Sequence, residues 1–92
     1  MEIEEYLKSI GINKAGNQSD NGAYVIDLGS SDEYGKIFSS LENNEDLIIM
    51  QENQVVTVQG SSLLYEDEEE QLLLNLIADF DTDRYQLIVN RI

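Results

Sequence analysis

The hydrophobic pattern of this 92-residue sequence predicts an α+β fold with helices packed on one sheet. Three observations carry that reading. Apolar residues recur at helical spacing in two segments. They cluster or alternate at strand spacing in several others. Glycine- and asparagine-rich stretches punctuate the chain between them.

The elements follow in order. Ile3, Tyr6, Leu7 and Ile10 fall at i, i+3, i+4 and i+7, and Gly11 supplies a natural C-terminal stop. Asn13 to Gly22 is polar and reads as a loop. Ala23–Leu28 is a short apolar run ending at Gly29, which predicts a strand. Ser30 and Glu33 make a capping box, S-x-x-E, ahead of a second stripe, Tyr34, Ile37, Phe38 and Leu41. Phe38 and Leu41 are therefore expected in the core. Leu47–Met50 and Gln54–Val58 read as two strands joined through Gln51, Glu52 and Asn53, with Gly60, Ser61 and Ser62 ending or bending the second.

The segment Glu66–Phe80 admits two readings. As a helix, Asp67 caps it, Glu70 occupies the third position, and Leu73, Leu76, Ile77 and Phe80 share a face. As a strand, Leu72, Leu74, Leu76, Ala78 and Phe80 alternate, and Asp81-Thr82-Asp83 becomes a hairpin turn. Good helix formers predominate and Ile77 is the one β-branched residue, so helix is favoured. Tyr85–Val89 is a strand in both cases. The favoured order is an N-terminal helix followed by a ferredoxin-like β-α-β-β-α-β. The alternative is two helices packed on an antiparallel meander. Residues 1–92 read as a single domain, since no linker or repeat divides them.

Composition narrows the chemistry. Hydrophobic residues make up 41%, enough to build a core. There is no Cys and no His, which removes thiolate metal sites, disulfides and the commonest general base. No phosphate-cradling glycine motif is present. No enzyme, cofactor or metal role is expected. The start Met1-Glu2-Ile3-Glu4-Glu5 is unlike a basic signal peptide, and no apolar run reaches the ~18–20 residues of a membrane span. A cytoplasmic location is expected.

Nineteen acidic residues face five basic ones, for a net charge of −14. Duplex DNA carries about one charge per ~1.7 Å of axis, so fourteen charges match roughly 24 Å of duplex. Nucleic acid and anionic membrane are poor partners for such a surface, and a basic protein is a good one.

Two acidic constellations stand out. Glu66-Asp67-Glu68-Glu69-Glu70 is five consecutive acids beside Tyr65, a candidate interface anchor. The run could grip arginines and lysines, or simply be a solvated turn or helix end. The string Tyr65–Glu70 resembles the acidic tracts of some phage anti-CRISPR proteins, over six low-complexity residues. Asp79, Asp81 and Asp83 open like a calcium loop, but Arg84 and Asn90 replace the required Gly and Glu. Tyr65, Glu66–Glu70, Asp79, Asp81 and Asp83 are together the expected partner-binding residues. In the helix reading they cap both ends of one helix about 20 Å long; in the strand reading they lie farther apart.

The functional expectation is a small acidic inhibitor that mimics nucleic acid and blocks a basic nucleic-acid-processing enzyme. Restriction and CRISPR nucleases are the model targets, and a phage or mobile element the model source. The alternatives are an immunity- or antitoxin-like protein or adaptor for a basic partner, and a structural domain whose acidity serves solubility. Carboxylates in two rows at phosphate-like spacing favour mimicry; a localised apolar-plus-acidic patch favours the neutralising protein.

Overall fold

The computed structural model describes residues 2–92. In chain order its elements are α1 (Ile3–Ser9), β1 (Asn17–Gln18), β2 (Tyr24–Asp27), α2 (Ser31–Glu42), β3 (Leu47–Val55), β4 (Val58–Glu66), β5 (Gln71–Asp79) and β6 (Arg84–Arg91). All six strands form one antiparallel sheet in the order β1-β2-β6-β5-β4-β3. β2 and β3 point the same way at opposite sides of the sheet, so α2 must cross beneath the strands between them. It packs on β3, β5 and β6.

Local sequence explains the helices. Ser30 Oγ accepts the Glu33 backbone N–H at 3.2 Å, the N-terminal half of the capping box. Tyr34, Ile37 and Leu41 then face the sheet and are buried, while Phe38 is only half-buried at the helix edge. α1 buries Ile3, Tyr6 and Leu7 and stops where Gly11 takes a φ of 91°, a left-handed conformation that glycine adopts without penalty.

The segment favoured as a third helix is a strand. Residues 67–70 make a turn, and β5 alternates strictly: Leu72, Leu74, Leu76 and Ala78 are fully buried while Leu73, Asn75, Ile77 and Asp79 point to the other face. The chain therefore adopts the meander alternative, and the second helix of a ferredoxin-like sandwich is absent. The reason is tertiary. As a strand the segment pairs along its whole length with β4 and β6. That non-local pairing and burial override the modest helix preference of Leu, Gln and Ala.

Three further boundaries differ from the sequence reading. Gln51, Glu52 and Asn53 are not a turn; they continue β3, with a bulge between Ile49 and Gln51. Polar residues there reflect an exposed edge strand. Gly60, Ser61 and Ser62 lie inside β4, paired on both sides. The expected loop Asn13–Gly22 contains β1, which pairs with β2 through Asn17 and Gln18.

The real hairpin turn is Val56-Thr57, closed by the Val55–Val58 pair. Val56 sits at φ 54° and is 87% exposed. A left-handed β-branched residue costs roughly 1–2 kcal/mol. Val56→Asn should therefore raise stability by about 1 kcal/mol, a rise in Tm of roughly 4–8 °C for a domain of this size. A thermal melt followed by circular dichroism reads this directly. A fall in Tm would mean that the valine side chain makes contacts worth more than the strain.

The core lies between the helices and one face of the sheet. Leu72, Leu74, Leu76, Leu87 and Val89 form its centre, with Ile26, Leu28 and Leu63 around them. Rings close it at both ends. Tyr34, Phe38, Phe80 and Tyr85 cluster at centroid distances of 5.7–6.3 Å near the β5–β6 turn. Tyr6 of α1 meets Tyr65 of β4 at 4.4 Å near the β4–β5 turn. The body measures 38 × 25 × 23 Å, with a radius of gyration of 12.5 Å. None of the described helices is long and apolar enough to cross a membrane.

Candidate functional site

The two acidic groups occupy turns at opposite ends of β5. Nine residues of strand at about 3.3 Å each hold them roughly 26 Å apart, so they are not brought together. Each turn is organised by one of its own aspartates. Asp67 Oδ1 accepts the backbone N–H groups of Glu69 and Glu70, both at 2.8 Å, and Asp67 Oδ2 accepts the Tyr65 hydroxyl at 3.0 Å. Asp79 Oδ1 accepts the N–H groups of Asp81 and Thr82 at 3.1 and 3.2 Å. Bonds from the backbone amides are the main reason both carboxyls titrate below the usual aspartate range.

The other predicted residues divide likewise. Glu70 pairs with Arg91 of β6. Glu66 accepts from the Gln71 side-chain amide. Tyr65 is half-buried against Tyr6, so its ring serves packing and its hydroxyl serves the turn. Asp83 takes a left-handed φ of 58° and faces the Tyr85 hydroxyl, which raises that phenol's pKa. Glu68, Glu69 and Asp81 carry exposed carboxylates. Asp79, Asp81 and Asp83 lie at the turn between β5 and β6, with Asp79 turned onto backbone amides. Among the described residues no group of three or more metal-ligating side chains is gathered.

Between the acidic turns lies a surface that the sequence did not disclose. The helices cover one sheet face only. Strand register assigns the opposite face row by row. One row is Ile48, Leu64, Leu73 and Asn90; the next is Gln51, Ser62, Asn75, Ile88 and Val25; a third is Asn53, Gly60, Ile77, Gln86 and Asp27. Up to Asp27 at its margin, these rows hold no charged residue. Charge returns at the ends, with Glu66 on one side and Asp79 and Arg84 on the other. The Ser62 hydroxyl donates to Asn75 Oδ1 at 2.6 Å across the middle. Gly60, lacking a side chain, helps open a shallow depression of about 360 Å³ between Gln51, Asn53, Asn75, Ile77 and Ile88.

In a chain with 26% charged residues, this face is depleted of charge. One signal for it was present in the sequence: Leu47–Tyr65 contains a single charged residue, Glu52. Its meaning depends on register, which places those residues on an edge hairpin and an uncovered face. No family model matches this chain, and no curated protein or solved structure matches it either.

Proposed function

We propose that the chain is a binding protein that neutralises or recruits a basic protein, docking through the open sheet face with its acidic turns as rims. The observation that carries this reading is the division of the surface. An uncharged field of Asn, Gln, Ser and aliphatic side chains is flanked by carboxylate-rich turns, the pattern of a contact centre with a charged periphery. Such a rim accelerates encounter with a positive surface, while the neutral centre avoids the cost of burying charge.

A second reading, the nucleic-acid-mimicking inhibitor of a phage or mobile element, draws support from charge density. Net charge −14 along a 38 Å axis is one charge per about 2.7 Å, against one per ~1.7 Å for duplex DNA. The acidic turns stand at opposite ends of an uncharged sheet face rather than as continuous rows of carboxylates across it, and for this reason mimicry ranks second.

The test neutralises the rim without touching its framework. Asp67, Asp79 and Glu70 are spared because they hold the turns and Arg91. Glu68, Glu69 and Asp81 are exposed and become Gln, Gln and Asn. The fold and melting temperature should change little. For a basic protein captured on immobilised chain at ~0.15 M salt, the association rate should fall several-fold and its salt dependence flatten. Asn75→Arg, in the centre of the open face, should instead weaken binding chiefly through faster dissociation. If neither variant alters binding, this face and its rims are not the contact.

A further inference from the structure

The sheet ends on one side in β3, nine residues with a strand neighbour on one flank only. Exposed edges of this length are templates for further pairing, and proteins usually blunt them with lysine, proline or inward charge. β3 has neither lysine nor proline. Its one charged residue, Glu52, lies opposite Ser61 on the helix-covered face, a single guard on a nine-residue strand. The single irregularity is the bulge between Ile49 and Gln51; from Gln51 to Val55 the pairing with β4 is regular, leaving a straight outer edge. The same hairpin holds most of the exposed large apolar residues among those described: Ile48, Ile49, Met50, Val55, Val56 and Val58. The opposite edge of the sheet, β1, is two residues long and offers no comparable template.

Charge identifies the occupant. Two copies of a chain at −14 repel unless they meet where carboxylates are sparse. The described surface supplies that along β3 and the open sheet face beside it, while α1, α2 and both β5 turns are studded with Asp and Glu; of these two, β3 alone leaves backbone groups unpaired. A basic strand would find a single carboxylate there, Glu52, whereas an edge this poor in charge suits a second copy of itself. An antiparallel strand is also self-complementary across a two-fold axis. With the axis at Asn53, Gln51 stands opposite Val55 of the second copy and Glu52 opposite Gln54 of the second copy. The two Glu52 carboxylates are thereby offset rather than opposed.

We propose that β3 is a dimerisation edge, at which two copies of this chain pair antiparallel about Asn53 and join their sheets into one. This goes beyond the binding role proposed above and does not depend on it.

Sedimentation equilibrium of the full chain tests it, at about 0.05 and 0.5 M sodium chloride so that screening is varied. A concentration-dependent dimer is expected, tighter at the higher salt. Asn53→Lys and Asn53→Glu each place like charges face to face on the axis while moving the net charge in opposite directions. Both should raise the dimer dissociation constant at least about tenfold, equivalent to ~1.4 kcal/mol, with unchanged circular dichroism. Backbone amides within Gln51–Val55 of the unmodified chain should gain hydrogen-exchange protection as concentration rises. A chain that stays monomeric to about 1 mM at both salts overturns the proposal, and leaves the edge to a strand of another protein. A dimer weakened by Lys but strengthened by Glu, or indifferent to both, overturns it as well, since the contact then lies elsewhere.

Discussion

Leu41→Ala should lower the unfolding free energy by about 2–5 kcal/mol, a large part of the 5–10 kcal/mol expected of a small domain. Leu41 is 1% exposed, at the end of the α2 stripe where the helix meets the sheet. Truncation removes methyl groups that the surrounding core cannot fully replace. Phe38→Ala makes the comparison informative. Both residues lie on the periodic stripe, but Phe38 is only half-buried and keeps solvent along one side. Its loss should be smaller, roughly 1–2 kcal/mol, despite the larger side chain. Urea denaturation of the two variants orders them. If Phe38→Ala costs more than Leu41→Ala, α2 is rotated from the orientation described.

The second large effect is alkaline. Tyr6 is 4% exposed, and burial, helped by the neighbouring Tyr65 and Asp46, pushes its phenol up to about 12 from an ordinary 10.0. Unfolded, the phenol loses its proton near 10; folded, it keeps the proton to about 12. Between those values the native state binds a proton that the unfolded state has released, so stability falls as pH rises. A shift of two pH units corresponds to roughly 2–3 kcal/mol, lost progressively across pH 10–12 and fully retained at pH 7. Tyr34, Tyr65 and Tyr85 shift the same way: Tyr34 by burial, Tyr65 through its bond to Asp67, Tyr85 through Asp83. Among the described residues, the Tyr6 hydroxyl has no hydrogen-bond partner. Tyr6→Phe should thus be neutral or stabilising by about 1 kcal/mol at pH 7, because a desolvated hydroxyl is removed. It should also flatten the fall in stability above pH 10. An unchanged alkaline slope in Tyr6→Phe would show that the loss arises elsewhere.

What was legible in the sequence was what is decided locally. The capping pair Ser30 and Glu33 and the stripe Tyr34, Ile37, Leu41 specify α2 within one segment. Gly11 marks the end of α1 in the same way. What was not legible depends on partners distant in the chain. Nothing within Gln71–Asp79 says strand as strongly as β4 and β6 on either side of it do. The turn at Val56-Thr57 carries no Gly, Asn or Pro, so its position follows from the register of the strands it joins. Asp67 and Asp79 looked like binding groups because they are acidic; their bonds to the amides two and three residues ahead are a turn-forming habit of aspartate. Of the open face only the charge-poor stretch Leu47–Tyr65 showed, because alternate residues of five strands compose it.

The sheet order also governs when the molecule can form. β3, β4, β5 and β6 each lie beside their neighbour in the chain, so their hairpins close through short loops. β2 instead pairs with β6, Tyr24 against Val89 and Asp27 against Gln86, across most of the chain length. Closing so long a loop is entropically slow and is rewarded only once the rest is in place. During synthesis, Ile26 and Leu28 therefore wait with their apolar side chains uncovered until β6 has left the ribosome. The N-terminal segment is therefore expected to dock last and to open first. Its amides should report the least stable cooperative unit of the fold.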